Sequence, residues 1–238
     1  MVIPMTEKKN KYSMHKKLTE YRAVILDMDG TLYSQPALRF LMAAALSGYY
    51  LFHPFRIKEL FILKQYRQVR EHWKGSATAS DSLDAAQYLF TAEQMKAAPE
   101  LVERVVTRWM QEYPLTFIKR CRDKKLAALI GQLRKKGMII VVYSDYPAKE
   151  KLAALSLETD FVFCAADKEI NCMKPDPKGM HAILHSLGLS AEEALMIGDR
   201  YEKDGLSAEN AGMDFLILPR QINRRNKLEN RIDLTPDL

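Results

Sequence analysis

Five short apolar runs limit most strongly how this chain can fold. The runs are AVIL (23–26), MIIVVY (138–143), FVFC (161–164), ALMI (194–197) and FLIL (215–218). They are apolar throughout and mostly rich in residues that favour strands, so they predict strands buried on both faces of a sheet. Helix signals occupy the intervals between the last four runs, at residues 147–156, 176–187 and 202–211. This repeated strand–helix–strand order predicts the α/β class, with a doubly wound parallel sheet.

The interval from residue 34 to about residue 120 departs from this pattern. Its apolar residues recur mostly at three- and four-residue steps. Examples are LVERVVTRWM (101–110) and the series Phe61, Ile62, Tyr66, Val69 and Trp73. Such spacing is typical of helices that pack on a core by one face. The interval therefore predicts an all-helical insertion.

The longest apolar stretch of the chain lies in this insertion, at residues 40–52 (FLMAAALSGYYLF). It is shorter than the roughly 18 residues of a membrane-spanning segment, so we expect a buried helix. Its aromatic end continues into Phe55, Ile57 and Phe61 among basic residues, which also fits an interfacial or apolar-ligand surface. An amphiphilic substrate at a membrane surface therefore stays open as an alternative.

Charge and cysteine content restrict the partners and the compartment. The formal net charge is +6, and much of the excess lies in terminal segments that lack zinc-finger spacing and aromatic RNA-binding motifs. We expect a flexible basic tail at residues 1–20, a second tail at residues 220–238 and no nucleic-acid partner. The first residues lack the apolar run of a secretory signal, and the three cysteines have no paired or metal-ligand spacing. A reducing cytoplasm is the expected location.

Two carboxylates follow the first apolar run, in DMDGTL (27–32). Asp27 and Asp29 project to one face if the extended conformation continues past the strand. One carboxylate can attack phosphorus to form an aspartyl-phosphate, while the other protonates the leaving oxygen and then activates water. Gly30 would let the backbone turn and expose amides and the Thr31 hydroxyl to phosphate oxygens.

A surface turn or a calcium loop could use the same residues. An EF-hand loop that starts at Asp27 needs a glutamate at its twelfth position, which is Leu38 here, so the calcium-loop hypothesis fails. A carboxylate pair directly after a buried parallel strand lies at the edge where open sheets bind ligands. This context favours a functional site over a turn.

A second acidic segment, GDRYEKD (198–204), follows the ALMI run. Magnesium takes few carboxylates and keeps water and substrate phosphate as further ligands, so Asp27, Asp29 and Asp199 suffice for a site. Helix capping and first-turn charge are the alternative for Asp199 and Asp204.

Two further polar residues stand near predicted strand ends. Ser144 follows MIIVVY, and Lys174 lies in MKPDP (173–177) before a predicted helix. Taken singly, each fits a turn residue or a solvated lysine. Together with the acidic segments they supply, near four strand ends, the groups that phosphate chemistry needs.

In this order DMDGTL, VVYSD, KPDP and GDRYEKD resemble the four signature motifs of the haloacid dehalogenase (HAD) superfamily. The resemblance implies a Rossmann-like catalytic core at residues 21–33 and 121–219, with residues 34–120 as a mobile helical cap that helps to select the substrate. It also implies a magnesium-dependent phosphatase, because haloalkanoate dehalogenases lack an aspartate at the position of Asp29.

The resemblance further implies a role for each motif residue. Asp27 is implied as the nucleophile and Asp29 as the general acid and base. The implied ligands of Mg²⁺ are Asp27, Asp29 through its backbone carbonyl, Asp199 and Asp204. The implied phosphoryl-binding residues are Thr31, Ser144 and Lys174, of which Lys174 also orients the nucleophile.

Some alternatives remain open within this resemblance. The expected substrate is a small phosphorylated metabolite, but the insertion has no short signature for a particular one. A phosphomutase or a non-catalytic phosphate-binding protein would carry the same motifs. Asp145, where many family members differ, is expected to cap the helix that follows it.

Overall fold

A six-stranded sheet forms the centre of the part of the chain that the structure describes. The computed structural model describes residues 12–73, 82–222 and 225. The strands are β1 (Tyr12–Ser13), β2 (Ala23–Leu26), β3 (Ile139–Ser144), β4 (Phe161–Cys164), β5 (Ala194–Gly198) and β6 (Asp214–Ile217). Their order is β1-β6-β5-β2-β3-β4, and all neighbours are parallel except β1 and β6. The predicted doubly wound parallel sheet is confirmed.

The central strand β2 explains why continuous apolar runs become strands here. Val24 and Leu26 pack into the hydrophobic core on one face of the sheet, whereas Ala23 and Ile25 pack into the core on the other. All four are at most 1% exposed. Successive side chains of a strand point to opposite faces, so a strand covered on both sides must be apolar at every position.

Residues 34–120, called the helical region below, separate β2 from β3. Their helices are α1 (Gln35–Phe52), α2 (Lys58–Glu71), α3 (Leu83–Met95), α4 (Pro99–Val106) and α5 (Leu115–Ile118). No strand occurs in its described parts, 34–73 and 82–120, which agrees with the sequence expectation. Trp109 is 2% exposed and packs edge-on against Tyr49 and obliquely against Tyr113, so that an aromatic cluster lies at its centre.

Helix α1 buries only one of its faces. Its buried side chains are Leu38, Met42 and Tyr50. In contrast, Phe40, Leu51 and Phe52 are 75–80% exposed. The expectation of a buried helix at residues 40–52 is therefore wrong for one face, because the neighbouring elements cover a single stripe of the helix. No helix among the described residues combines the length and the apolarity needed to cross a bilayer.

Four helices connect the strands after the helical region. They are α6 (Lys124–Lys135), α7 (Lys149–Leu155), α8 (Lys178–Leu187) and α9 (Leu206–Asn210). Asp123 begins α6, since its carboxylate accepts two backbone amides of the first turn. The helix predicted at 202–211 starts instead with a π-helical turn, Tyr201–Gly205, in which amides 203–205 share the carbonyl of Arg200.

Both ends of the described chain pack on the core, where the sequence predicts tails. The expected tail at residues 1–20 is wrong for residues 12–20, because β1 covers the otherwise open edge of β6 and Leu18 is 1% exposed. Residues 1–11 lie outside the described residues. Of the tail expected at 220–238, Arg225 is 5% exposed and held by hydrogen bonds, which contradicts a free tail at that position.

Candidate active site

The carboxyl ends of β2, β3 and β5 bring predicted site residues together. Asp27 follows β2, Ser144 ends β3 and Asp199 follows β5. Because β2 pairs in parallel with both β3 and β5, these three ends lie side by side. The amide of Asp27 donates to the carbonyl of Ile197 at 2.9 Å and fixes the acidic loop against β5. Ligands of open parallel sheets bind at this edge.

Asp27 is buried and held by two side chains. Lys174 Nζ donates to Asp27 Oδ1 at 2.6 Å, and Thr31 Oγ1 donates to Asp27 Oδ2 at 2.9 Å. Lys174 Nζ also lies 2.6 Å from Oδ1 of Asp204. Burial and the charge of Asp204 hold the pKa of Asp27 well above its usual value, although Lys174 lowers it. The ammonium of Lys174 is therefore what favours the ionised form of Asp27.

Three buried carboxylates converge beside Lys174. Asp27, Asp199 and Asp204 each place an oxygen within 4.8 Å of the other two. Oδ1 of Asp199 is buried and has no hydrogen-bond partner among the described residues. Burial and the charge of Asp204 raise the pKa of Asp199 to about 6. Such a set of crowded oxygen donors fits a hard divalent cation such as Mg²⁺.

Two glycines let the acidic loops approach each other. Gly30 has a φ of +102°, in agreement with the predicted turn, and a Cβ there would lie 2.6 Å from Oδ2 of Asp199. A Cβ on Gly198 would lie 2.3 Å from Cγ of Asp204. Both clashes would displace a carboxylate of the cluster, so the site itself requires glycine at these positions.

The side chain of Asp29 has a different set of partners. Lys151 Nζ lies 2.6 Å from Asp29 Oδ1, and the Tyr33 hydroxyl donates a short hydrogen bond to the same oxygen. Ser144 Oγ donates to Asp29 Oδ2 at 3.5 Å. Burial alone would raise the pKa of Asp29, but Lys151 and the Tyr33 hydrogen bond, with a smaller effect of Lys174, hold that pKa below its usual value. The metal contact predicted through the Asp29 backbone carbonyl stays a prediction.

Lys151 and Tyr33 are site residues that sequence reasoning missed. Lys151 is 7% exposed in the first turn of α7, whereas Lys149 in the same turn is exposed. The sequence offers one signal, which is the position of Lys149 and Lys151 directly after the loop that follows β3. Nothing in the sequence indicates which of the two lysines is buried. Tyr33 stands four residues after Asp29, where its apolar character favours an ordinary core position.

Asp145 does not cap the following helix, contrary to the sequence expectation. Helix α7 begins after Ala148 without a side-chain cap. Instead, Asp145 Oδ1 accepts the backbone amide of Lys174 at 3.1 Å. The carboxylate of Asp145 thus binds the loop that contains Lys174. In this way Asp145 positions Lys174 relative to the end of β3.

A cavity of about 450 Å³ opens beside Asp29 and Lys151. Its core side is completed by Tyr33 and Tyr146. The apolar side chains that line it from the helical region include Leu38, Met42, Leu46 and Trp109. Arg39 and Arg67 also line it from the helical region, and neither forms an ion pair with another described residue. One side of the cavity thus carries the ion pair of Asp29 and Lys151, and the other side carries arginines without an ion-pair partner in the described part of the chain.

Arg70 joins the helical region to the core at the edge of this cavity. It is 1% exposed and donates to Oδ1 of Asp84 in α3 at 2.6 Å. It also donates a short hydrogen bond to the carbonyl of Asp145, and its guanidinium lies 4.3 Å from the ring centroid of Tyr146. Asp145 binds the backbone amide of Lys174, and Lys174 binds Asp27. Arg70 therefore connects the helical region to Asp27 through Asp145 and Lys174.

Arg225 supports the loop that follows Asp27. Its guanidinium donates to the carbonyls of Gly30 and Thr31, both at 2.6 Å, and to Oδ2 of Asp123 at 2.9 Å. Asp123 in turn begins helix α6. No motif pointed to Arg225, because it lies in the segment expected to be a tail.

Comparisons with known proteins identify the family of this chain. The family model of haloacid dehalogenase-like hydrolases matches residues 21–212. The chain is 27% identical over 152 residues to phosphoserine phosphatase from Thermus thermophilus, which covers 61% of this chain and 56% of that protein. It is 32% identical over 94 residues to phosphoglycolate phosphatase from Rhodospirillum rubrum, which covers 38% of this chain and 39% of that protein. The chain thus spans about half the length of the curated relatives that it matches, or less.

Solved structures agree on the fold. The 2-haloacid dehalogenase from Pseudomonas syringae pv. Tomato DC3000 superposes with a TM-score of 0.56 at 18% identity, over 89% of this chain and 99% of that one. The HAD-hydrolase YfnB from Bacillus subtilis, solved with magnesium bound, superposes with a TM-score of 0.58 at 16% identity. The superposition covers 90% of this chain and 100% of that one. Because the family model covers most of the chain and the fold agrees, this protein belongs to the haloacid dehalogenase-like hydrolase family.

Proposed function

We propose that this protein is a magnesium-dependent phosphatase, which hydrolyses the phosphomonoester of a small metabolite through an aspartyl-phosphate on Asp27. The observation that carries the proposal is the position of Asp27, buried between Lys174 and the carboxylates of Asp199 and Asp204. A carboxylate attacks an anionic phosphate only where fixed positive charge offsets their repulsion. Lys174 provides one such charge at hydrogen-bonding distance.

The reaction divides into two displacements at phosphorus. In the first, an oxygen of Asp27 bonds to phosphorus, the bond to the ester oxygen breaks, and Asp29 gives that oxygen a proton. In the second, Asp29 takes a proton from water, the water oxygen bonds to phosphorus, and the bond to Asp27 breaks. The products are an alcohol, inorganic phosphate and the original enzyme.

Asp29 must gain a proton before the first displacement. Lys151 holds the pKa of Asp29 low in the absence of substrate, which favours the form that later accepts a proton from water. An incoming phosphate adds negative charge beside Asp29 and raises its pKa. It also competes for the ammonium of Lys151, which lies 2.6 Å from Asp29. Substrate binding thereby promotes protonation of the acid that the first step needs.

The phosphoryl group would be held by Thr31, Ser144 and Lys174. Mg²⁺ would be held by the side chains of Asp27, Asp199 and Asp204 and by the backbone carbonyl of Asp29. When bound, the ion neutralises charge on the phosphate and on the crowded carboxylates. The unpaired Oδ1 of Asp199, and its pKa of about 6, support a cation at this position.

The class of substrate follows from the cavity and from the relatives. A cavity of about 450 Å³ accommodates a small organic phosphate. The curated relatives are named as phosphatases of phosphoserine, phosphoglycolate and glyceraldehyde 3-phosphate. We infer a phosphorylated metabolite of similar size as the substrate.

The test is phosphate release from a panel of phosphorylated metabolites, with Mg²⁺ and with a chelator. We expect turnover that depends on Mg²⁺ and that falls by at least about 10⁴-fold in Asp27→Asn, because the nucleophile is lost. Asp160→Asn is the matched control. It makes the same change on a carboxylate that accepts the Ile140 amide at the opposite end of the sheet, and it should retain full activity.

Three outcomes would contradict the proposal. Full activity of Asp27→Asn would remove Asp27 as the nucleophile. Interconversion of isomers without net phosphate release would indicate a phosphomutase. Binding of phosphorylated compounds without turnover of any of them would indicate a non-catalytic binding protein.

A further inference from the structure

The corner between α1 and α2 exposes an unusual amount of apolar surface. Phe55 is 98% exposed, Phe52 80% and Leu51 75%. Nine large apolar side chains are exposed among the described residues, and six of them lie between residues 40 and 61. The six are Phe40, Leu51, Phe52, Phe55, Ile57 and Phe61. Exposed apolar groups that are concentrated in this way mark interaction sites, whereas single ones are ordinary.

This corner is an ordered structure rather than a loose loop. Glu59, which is 6% exposed, accepts a hydrogen bond from the Tyr50 hydroxyl at 3.0 Å and another from Nε of Arg56 at 2.8 Å. The ring of His53 stacks on Tyr49 with 4.2 Å between the centroids. The exposed aromatic groups are thus presented on a fixed turn, which reduces the entropy lost when they bind.

The segment that forms the corner contains more basic than acidic residues. Residues 35–64 contain four basic residues and one acid, Glu59. Glu59 is buried and uses its oxygens within the corner. The basic residues are Arg39, Arg56, Lys58 and Lys64. Arg56 pairs with Glu59 and shares a cavity with Glu100, Glu103 and Glu112. Lys58 and Lys64 are exposed and form no ion pair with another described residue, so they supply the positive charge that complements an anionic surface.

Apolar side chains among basic ones match the interface of an anionic bilayer. Aromatic groups enter the region between headgroups and acyl chains, while Lys and Arg contact acidic headgroups. A side chain that is 98% exposed, such as Phe55, protrudes from its surroundings. A soft lipid surface accepts a protruding group without a preformed pocket, which a protein partner would have to supply.

We propose that the α1–α2 corner docks on membranes that contain anionic lipid, with Leu51, Phe52 and Phe55 inserted into the interface. Lys58 and Lys64 then lie at the level of the headgroups. Helices α1 and α2 also line the active-site cavity, with residues 35–46 and 67–71 at the ends away from the corner. The proposal does not depend on the reaction proposed above.

The experiment is co-sedimentation of the full chain with vesicles of equal parts phosphatidylglycerol and phosphatidylcholine, and with vesicles of phosphatidylcholine alone. We expect binding to the first and much weaker binding to the second. Phe55→Ser should weaken binding by at least about tenfold, since each buried aromatic group contributes that much or more to partitioning. Its side chain is exposed, so the variant should unfold at the same temperature as the wild type.

The matched control is Phe161→Ser, which changes an exposed phenylalanine on β4 of the core. It should bind the vesicles as the wild type does. Equal binding by Phe55→Ser and the wild type would overturn the proposal, because charge alone, including that of the basic terminal segments, would then explain the binding. A wild type that binds neither kind of vesicle would also overturn it. So would a dimer in solution that Phe55→Ser dissociates, because the corner would then contact a second copy of the chain.

Discussion

The two sides of the active site use positive charge in different ways. On the core side, Lys151 lines the cavity and Lys174 is buried beside Asp27; they are 7% and 2% exposed, and each lies 2.6 Å from a carboxylate. On the wall formed by the helical region, Arg39 and Arg67 are exposed and form no ion pair with another described residue. Charges of the first kind are balanced within the protein, and those of the second kind are available to a ligand.

This difference separates chemistry from selection. Lys174 and Lys151 hydrogen-bond to Asp27 and Asp29 and orient them, and under the proposed function every phosphomonoester would meet these two carboxylates. The unpaired arginines line the cavity from the helical region, and under the proposed function they would contact the rest of the substrate. Changes on the core side should therefore lower kcat for every substrate, and changes on the helical wall should alter preference among substrates.

Of the variants that test this contrast, Lys174→Met, which removes a buried lysine of the core side, should have the largest effect on kcat. Loss of the buried ammonium leaves Asp27 and Asp204 without their shared partner and removes a charge from the phosphoryl site. We expect kcat to fall by about 10²- to 10³-fold for all substrates. Lys178→Met, an exposed lysine at the start of α8, should leave kcat unchanged. A change confined to KM in Lys174→Met would contradict a catalytic role.

Gly198→Ala tests the crowding of the core side. The new Cβ would lie 2.3 Å from Cγ of Asp204, so that the carboxylate must shift. We expect a loss of about 1–3 kcal/mol in the free energy of unfolding, together with weaker Mg²⁺ activation. Gly131→Ala in helix α6 meets nothing within 4 Å and should stabilise the protein by about 0.5–1 kcal/mol. Urea unfolding measures the change in the free energy of unfolding of each variant. Changes of the same sign in both variants would contradict the steric explanation.

Arg67→Met tests the helical wall. For substrates with a second anionic group we expect KM to rise about tenfold with little change in kcat, because a charged hydrogen bond to the ligand is lost. Substrates without that group should be unaffected. Lys64→Met is the control, since Lys64 lies on the same helix but does not line the cavity. If KM rose equally for both kinds of substrate, Arg67 would have no part in selection.

The smallest expected effect is that of Arg225→Lys. A lysine keeps the charge but loses the planar fork that donates to the carbonyls of Gly30 and Thr31. We expect kcat to fall about three- to tenfold, with KM nearly unchanged, because the loop after Asp27 is less well positioned. Arg134→Lys, on a side chain that is 39% exposed and pairs with Glu158 and Asp160, should show no change. A similar loss in both variants would contradict a specific role of Arg225.

Strong, repeated signals explain what the sequence predicts correctly. The run at 23–26 coincides with β2, since a strand buried on both faces must be apolar throughout. The run at 161–164 coincides with β4, but this edge strand is only half-buried and exposes Phe161, so the expected burial on both faces is wrong for it. Asp27 and Asp199 meet because each follows a parallel strand of one sheet. A single strand-end residue has no meaning until the strands are known to run parallel, and the repeated strand–helix pattern predicted a parallel sheet. The order of the strands was not predicted.

Features that depend on long-range contacts were missed. The pairing of β1 involves two residues, too few to leave a periodic signal. Arg225 contacts residues almost the whole chain away, and nothing local distinguishes it from its basic neighbours. The exposed face of α1 was read as core because apolarity alone does not reveal which side of a helix has a neighbour.

The central claim is that Asp27 carries the phosphoryl group, and borohydride trapping during turnover tests it most directly. Reduction of an aspartyl-phosphate converts that residue to homoserine, which peptide mass spectrometry locates in the sequence. The account predicts homoserine at position 27 only, in the presence of both substrate and Mg²⁺. Steady phosphate release with an unmodified Asp27, or with conversion at another aspartate, would contradict it.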